Sequence, residues 1–464
     1  MIVAAIDQGT TSTRVLVADP SGHARIRHAI RHAQFHPHPG WVEHNPLELL
    51  ANIRACLQAA GPVEALGLAN QGESCLAWDA KTLQPLSPVI VWQDNRTAPD
   101  TQRLKAQGAE AETLARAGLP LDAYFSATKL AWLVREIPEI QAARRANRLC
   151  LGTTDAFFLH HLTGRFTTDV TTASRTSLMN LATRQWDTTL CALFGVPPEC
   201  LPEIRDTVGA FGDINKTPLT ASVVDQQAAL YGHGCRRAGD AKITFGTGAF
   251  ALAVTGAEII RAPEQGLLPT IAWSRGGIAT FALDGGVYDA GAAIEWAERL
   301  GILHNLDELH DFQAPPAITR GLVFVPALSG LACPHWDRSA AALWLGMDSS
   351  TTRQDLLQAL LEGVALRTAE VISAMHEKIE LKGAISVDGG LTRSPYFLRV
   401  LASALGRELA VPDFDELTAF GCAALAAPQP LPRPGTTRAI APSLTSSGWR
   451  ERFAEAITRA RGWR

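Results

Sequence analysis

Two segments far apart in the chain read alike. Ile6-Asp7-Gln8-Gly9-Thr10-Thr11 and Ile243-Thr244-Phe245-Gly246-Thr247-Gly248 are each an apolar strand running into a glycine-threonine turn. Each turn is followed by a second apolar strand, "RVLVAD" in the first case and "AFALAV" in the second. A supersecondary unit used twice implies two domains of one design, with the two turns facing each other across a cleft. Six residues of likeness are also what two unrelated hairpins would give, so the rest of the chain has to agree.

It does agree. Strand signals alternate with helical ones, the pattern of an α/β fold whose sheets are covered by helices. "NPLELLANIRACLQAA" has helical spacing behind Asn45-Pro46, a capping residue followed by a good first-turn residue. "VEALGLAN" and "PVIVWQD" read as short buried strands, and residues 110–165 as largely helical. "RQDLLQALLEGVALRTAEVISAMHEKIE" is a long helix, "AISVDGG" a strand, and "SSGWRERFAEAITRARGW" an amphipathic closing helix with Trp449, Phe453 and Ile457 on one face. With 464 residues the chain exceeds what one core supports. The boundary is expected near Tyr231, giving domains 1–230 and 231–464.

Composition narrows the partners. A net charge of −4 gives no reason to expect nucleic acid or a membrane surface. No apolar run is long enough to span a bilayer, and the N-terminus lacks a leader pattern. Eight cysteines without a C-x-x-C pair argue against a zinc site or disulfide framework and for a reducing cytoplasm. The histidine-rich "HAQFHPHPGW" has no regular ligand spacing and reads as a solvated loop.

The turns carry the chemistry. Backbone N–H groups and hydroxyls of Gly9-Thr10-Thr11 suit phosphate oxygens. Asp7 would repel phosphate directly, but it can hold Mg²⁺ that bridges phosphates. An ordinary hairpin explains this stretch equally well. Gly246-Thr247-Gly248 can cradle the other side of a phosphate chain. Gly389-Gly390 permits close approach to a nucleotide, or is only a tight strand-to-helix turn. In "VVDQQAAL", Asp225 ends a β-branched strand before a helix. There it suits a general base for a substrate hydroxyl, or a helix N-cap, or both.

Together with "GWVEHNPLELL", "VWQDNRT", "AYFSATKLAWL", "TASRTSLMN", "GLLPTIAW" and "VPALSGLACPHWD", these motifs resemble the glycerol kinase branch of the FGGY carbohydrate kinases, in order and spacing over nearly the whole chain. The resemblance implies two ribonuclease-H-like domains with a catalytic cleft between them, ATP and Mg²⁺ as cofactors, a small polyol or sugar substrate, and a homodimer or homotetramer. It implies Asp225 as catalytic base, with Gln226, Glu73 and Tyr124 on the polyol and Trp92 and Phe250 as apolar walls. Asp7, Thr10, Thr11, Ser12 and Arg14 match the metal and phosphate corner, with Asp7 at the metal. Gly246, Thr247, Gly291 and Gly390 match nucleotide positions.

Departures from the family pattern sharpen the expectation. Gly72 stands where an arginine that grips substrate hydroxyls is usual. Glu295 replaces a usual glutamine, and Ser394 a usual asparagine, on the nucleotide side. The expected activity is ATP-dependent phosphorylation of a primary hydroxyl, glycerol first. A four- or five-carbon polyol or ketose is the alternative that Gly72 favours, and a non-catalytic ligand and nucleotide sensor the alternative of another class.

Overall fold

The computed structural model describes residues 1–464 and contains two large sheets built on one plan. In the first, β1 (Val3–Gln8), β2 (Ser12–Ala18) and β3 (Ala24–Arg31) form an antiparallel meander. β4 (Ala65–Asn70) adds in parallel to β1, after helix α1 (Pro46–Ala60). A short strand β5 (Asp213–Ile214) and β6 (Thr217–Val224) complete the order β5-β6-β4-β1-β2-β3.

The second sheet repeats this. β7 (Ala241–Phe245) pairs antiparallel with β8 (Ala249–Gly256), which pairs with β10 (Ile278–Val287); β9 (Leu268–Arg275) lies outside β10. β11 (Ile385–Gly389) adds in parallel to β7, followed by β12 (Leu409–Pro412) and edge strand β13 (Thr437–Ile440). Ignoring the added edge strands, each half runs third-second-first-fourth-fifth. Parallel neighbours require a crossover, and in both halves helical segments supply it. The duplication legible in the two turns is therefore a duplication of whole sheets.

Local chemistry explains the elements. Asn45 caps α1 by accepting from the amides of Leu47 and Glu48, with Pro46 in the first turn. The long helix Arg353–Lys378 opens with a capping box of Thr352 and Asp355 and is buried along most of its length. The closing helix Trp449–Ala460 buries Trp449, Phe453 and Ile457 against the second sheet's core. No helix is long and apolar enough to cross a membrane. All eight cysteines are buried and free.

Two short helices bind the halves together. α2 (Asp225–Gly232) follows β6, and α3 (Leu417–Ala426) comes late in the chain. α3 does not cover the second sheet. Its Ala419, Phe420, Cys422 and Ala423 share a core with Val3, Ala5, Leu16, Ala69 and Val223 of the first. α2 and α3 meet backbone to backbone: a Cβ at Gly421 would lie 1.8 Å from the Ala228 carbonyl oxygen, and one at Gly232 would lie 2.0 Å from that of Leu417. Only glycine allows this approach.

Candidate active site

The two turns do face one cavity. Its volume is about 440 Å³, and Thr10 and Thr11 line it from the first sheet and Thr247 and Gly248 from the second. Gly72, Glu73, Trp92, Tyr124, Asp225, Gln226, Phe250 and Glu295 also line it. Eleven of the eighteen sequence-predicted site residues line the cavity, drawn from segments separated by long stretches of chain; Asp7, Ser12, Arg14, Gly246, Gly291, Gly390 and Ser394 do not.

Each wall has a local cause. β6 ends at Val224 and α2 starts at Asp225, so the Asp225 and Gln226 side chains emerge at the strand-to-helix corner. Asp225 is not an N-cap: that position is Val224, and the Asp225 carboxylate accepts instead from the Gln226 amide at 2.6 Å. Glu73 follows β4 with a left-handed φ of 58°, an uncommon conformation for a side-chain-bearing residue and a form of strain that clusters at functional sites. The Ser126 hydroxyl holds the Glu73 carbonyl at 2.9 Å, and Ser74 Oγ accepts from the Trp92 amide at 3.1 Å. Trp92 Nε1 donates to Thr10 Oγ1 at 3.0 Å, which couples the aromatic wall to the first turn. Trp92 meets Tyr124 edge-on at 5.7 Å and Phe250 at 6.5 Å, so the aromatic wall joins loop residues of the first half to a strand of the second sheet.

The remaining predicted residues are arranged around this floor. Arg14 Nη1 donates to both oxygens of Glu416 at 2.8 and 2.9 Å, and its Nη2 to Ser12 Oγ at 3.0 Å, so Arg14 and Ser12 are engaged with the segment before α3. Gly291 begins the helix Gly291–Arg299, and its amide donates to the Gly246 carbonyl at 3.0 Å. A Cβ at Gly291 would stand 2.5 Å from that oxygen, which explains Gly291 as close packing of helix against turn, whereas a Cβ at Gly246 would meet only the Gly248 carbonyl at 3.9 Å. Gly390 has open space on its Cβ side, beyond Gly389, whose own Cβ would lie 2.1 Å from the Phe245 carbonyl. Ser394 is buried as a helix cap: its hydroxyl accepts from the Phe397 amide at 3.0 Å and donates to the Leu309 carbonyl, so it does not face the cavity.

The structure adds residues with no role in the sequence reading. Arg175, Asp284 and Gln34 line the cavity. Arg175 Nε donates to Glu73 at 2.7 Å and its Nη2 pairs with Asp284 at 3.0 Å. Gln34 comes from the histidine-rich segment. The loop reading fits exposed His36 and His38, but His32 bonds the Thr10 carbonyl at 2.9 Å and His44 is buried.

Electrostatics set the floor apart. Burial, reinforced by the negative charges of Asp7 and Glu73, pushes the Asp225 carboxyl up to about 7. Burial raises Asp7 to about 6, against the opposing pull of Arg14. Burial also raises Glu73 and Asp284, while the Arg175 charge restrains both. Two carboxylates held this far above their usual range mark a floor short of positive charge. A divalent cation at Asp7 would relieve that deficit, so the residues present fit Mg²⁺. No cluster of three or more His, Cys, Asp or Glu could hold a metal unaided. That suits an ion bound by one or two carboxylates together with substrate phosphates.

Comparison with known proteins agrees with this geometry. The model of the FGGY family of carbohydrate kinases, N-terminal domain, matches residues 2–232, and the C-terminal domain model matches residues 241–429. The glycerol kinase of Haloferax volcanii is 40% identical over 450 residues, covering 91% of this chain and 88% of its own. That of Rippkaea orientalis is 39% identical over 439 residues with the same coverage. A crystal structure of Plasmodium falciparum glycerol kinase with ADP superposes with a TM-score of 0.90 at 28% identity, covering 99% of this chain and 98% of that one. The expected fold class and resemblance both hold, and the chain belongs to the FGGY family of carbohydrate kinases.

Proposed function

We propose that this kinase transfers the γ-phosphoryl group of ATP to a primary hydroxyl of glycerol. One observation supports it most: a carboxylate with a pKa near 7, Asp225, shares a cavity with a polar and aromatic polyol wall and with two hydroxyl-bearing turns. A general base works best when its pKa lies near the working pH. Glu73, Tyr124 and Gln226 orient the hydroxyls, and Trp92 and Phe250 hold the carbon backbone and keep water out. Asp225 takes the proton of the attacking hydroxyl as the oxygen–phosphorus bond forms and the bond to the β-phosphate oxygen breaks. Thr10, Thr11, Thr247 and the nearby turn amides hold the phosphates from both sides. Asp7 would hold Mg²⁺, which when bound would neutralise charge on the phosphate chain.

Gly72 supports a second reading, a four- or five-carbon polyol or ketose. It lines the cavity beside Glu73 and leaves that edge without a side chain. Coupled ADP release with Mg·ATP across glycerol, erythritol, threitol, xylitol, ribitol, dihydroxyacetone, xylulose and ribulose tests both. Glycerol best by kcat/KM supports the first reading, a longer acceptor best supports the second, and turnover of none defeats both. We also assign the protein to the cytoplasm and divide it as 1–230 and 231–464, with α3 reaching back onto the first sheet. A homodimer or homotetramer is the assembly carried over from the family resemblance.

A further inference from the structure

Lys242 lies in β7, four residues before the second turn, and is fully buried. Its Nζ donates to Gln226 Oε1 at 2.6 Å and to Thr244 Oγ1 at 3.0 Å. Asp388, Asp284 and Asp225 surround it through space and oppose the cost of burying the charge. An ammonium sealed inside a protein is expensive, and an apolar residue of similar size would pack there at less cost. Its value must therefore lie in what it holds.

What it holds is one end of a carboxamide. Gln226 lines the cavity next to Asp225. An amide side chain can point either its oxygen or its NH₂ at a ligand. Lys242 has no acceptor, so it binds only the oxygen, and the Gln226 NH₂ is left for the cavity. The floor then presents an acceptor, the Asp225 carboxylate, directly beside a donor. The bond also crosses from the second sheet to the first helix after β6.

Taking the site as read above, we propose that Lys242 is a positioning residue: it locks the Gln226 amide with its NH₂ toward the acceptor substrate, which receives that donor on a hydroxyl or carbonyl oxygen. The test is a double-mutant cycle in the full-length protein, using Lys242→Met, Gln226→Ala and the pair, with ADP release read against acceptor and ATP concentration. Lys242→Met is expected to raise the acceptor KM about tenfold, with the ATP KM within about twofold. In the Gln226→Ala background the same change is expected to add nothing, because the amide it acts through is gone. Lys242→Arg is expected to restore part of the loss. Of the charges, Asp7, Glu73 and Lys242 act most strongly on Asp225, with Arg175, Asp284 and Glu295 on the same cavity, and the Met variant removes the Lys242 cation. The acidic limb of kcat/KM is therefore expected to move to higher pH.

Additive effects, an equal rise in both KM values, or a lowered Tm with unchanged KM would each overturn the proposal and leave the lysine a packing role. If Lys242→Met does not fold, Gln226→Glu keeps an oxygen for Lys242 and removes the NH₂; an acceptor KM that stays unchanged overturns the proposal equally. Wild-type protein is assayed first. Absence of turnover on every acceptor removes the kinase reading and this inference together, whereas normal wild-type turnover with an additive cycle removes only the lysine.

Discussion

The first turn and the second turn occupy the same place in two sheets of the same order, but their surroundings differ. At the first, Asp7 stands in register with Arg14, whose guanidinium is taken by Glu416, and Asp225 and Glu73 add further negative charge. At the matching place in the second, Thr244 stands in register with Phe250 on one side and Asp388 on the other, and that carboxylate is held below its usual range by His233 and the buried cation Lys242. The packing differs as well. Gly9 and its counterpart Gly246 both have room, a Cβ meeting only a carbonyl at 3.5 and 3.9 Å, but Gly248, which stands where the first turn has Thr11, does not: its Cβ would lie 2.7 Å from the Val287 carbonyl. One fold unit thus carries two surroundings, carboxylates raised by burial at one turn and paired charges with close backbone packing at the other.

The most direct way to break this comparison is to remove charge at the first turn's side of the cleft. Asp225→Asn is expected to lower kcat about 10³-fold while the acceptor KM changes little, as a change to the proton acceptor should. Steady-state ADP release measures it, and a loss confined to KM would contradict the base role. Asp7→Asn should lower kcat/KM by about 10²-fold and raise the Mg²⁺ concentration needed for half-maximal rate, read from a magnesium titration.

Shape at the second turn gives a smaller effect. Gly248→Ala is expected to destabilise the protein by about 1–3 kcal/mol, because the new methyl meets fixed backbone. Gly9→Ala should stay within about 0.5 kcal/mol. Paired urea denaturation curves check the contrast, and equal losses would show the two turns to be alike after all.

The pH dependence sharpens the charge side. With Asp225 near 7, kcat/KM should rise about tenfold per pH unit below 7 and level off above it. Stability runs the other way. The folded-state pKa is raised above the ordinary value near 3.9, so folding favours the protonated form and loses that support as pH climbs to 7. Asp225→Asn is therefore expected to gain stability over the wild type, growing from about pH 4 to 7 to about 1–3 kcal/mol and constant beyond. Thermal melts across that range decide it.

The two turns were legible because glycine and hydroxyl residues punctuate strands locally, and α1 and the closing helix because caps and apolar spacing are local too. Asp225 and Gln226 stood out at a strand-to-helix boundary. Arg175, Asp284 and Lys242 did not. Their meaning lies in partners distant in sequence, Glu73 for Arg175 and Gln226 for Lys242, and nothing in a lysine's immediate neighbours announces that it will be fully buried. Gln34 was hidden within a histidine-rich stretch whose prolines suggested only a loop. Ser394 was visible as a residue before Pro395 but its capping role was masked by the family position it occupies.

The crossing of Gly421 over Ala228 also bears on how the protein is made. The first sheet leaves the ribosome long before α3, yet one of its faces is covered by Ala419, Phe420, Cys422 and Ala423. Until those residues emerge, the early half of the chain carries an uncovered apolar face and an unfilled seat for a helix. Chain order and folding order therefore part company here: the last helix to reach the first sheet is the one that finishes it, and a nascent chain stopped short of residue 417 would be a client for chaperones rather than a small folded domain.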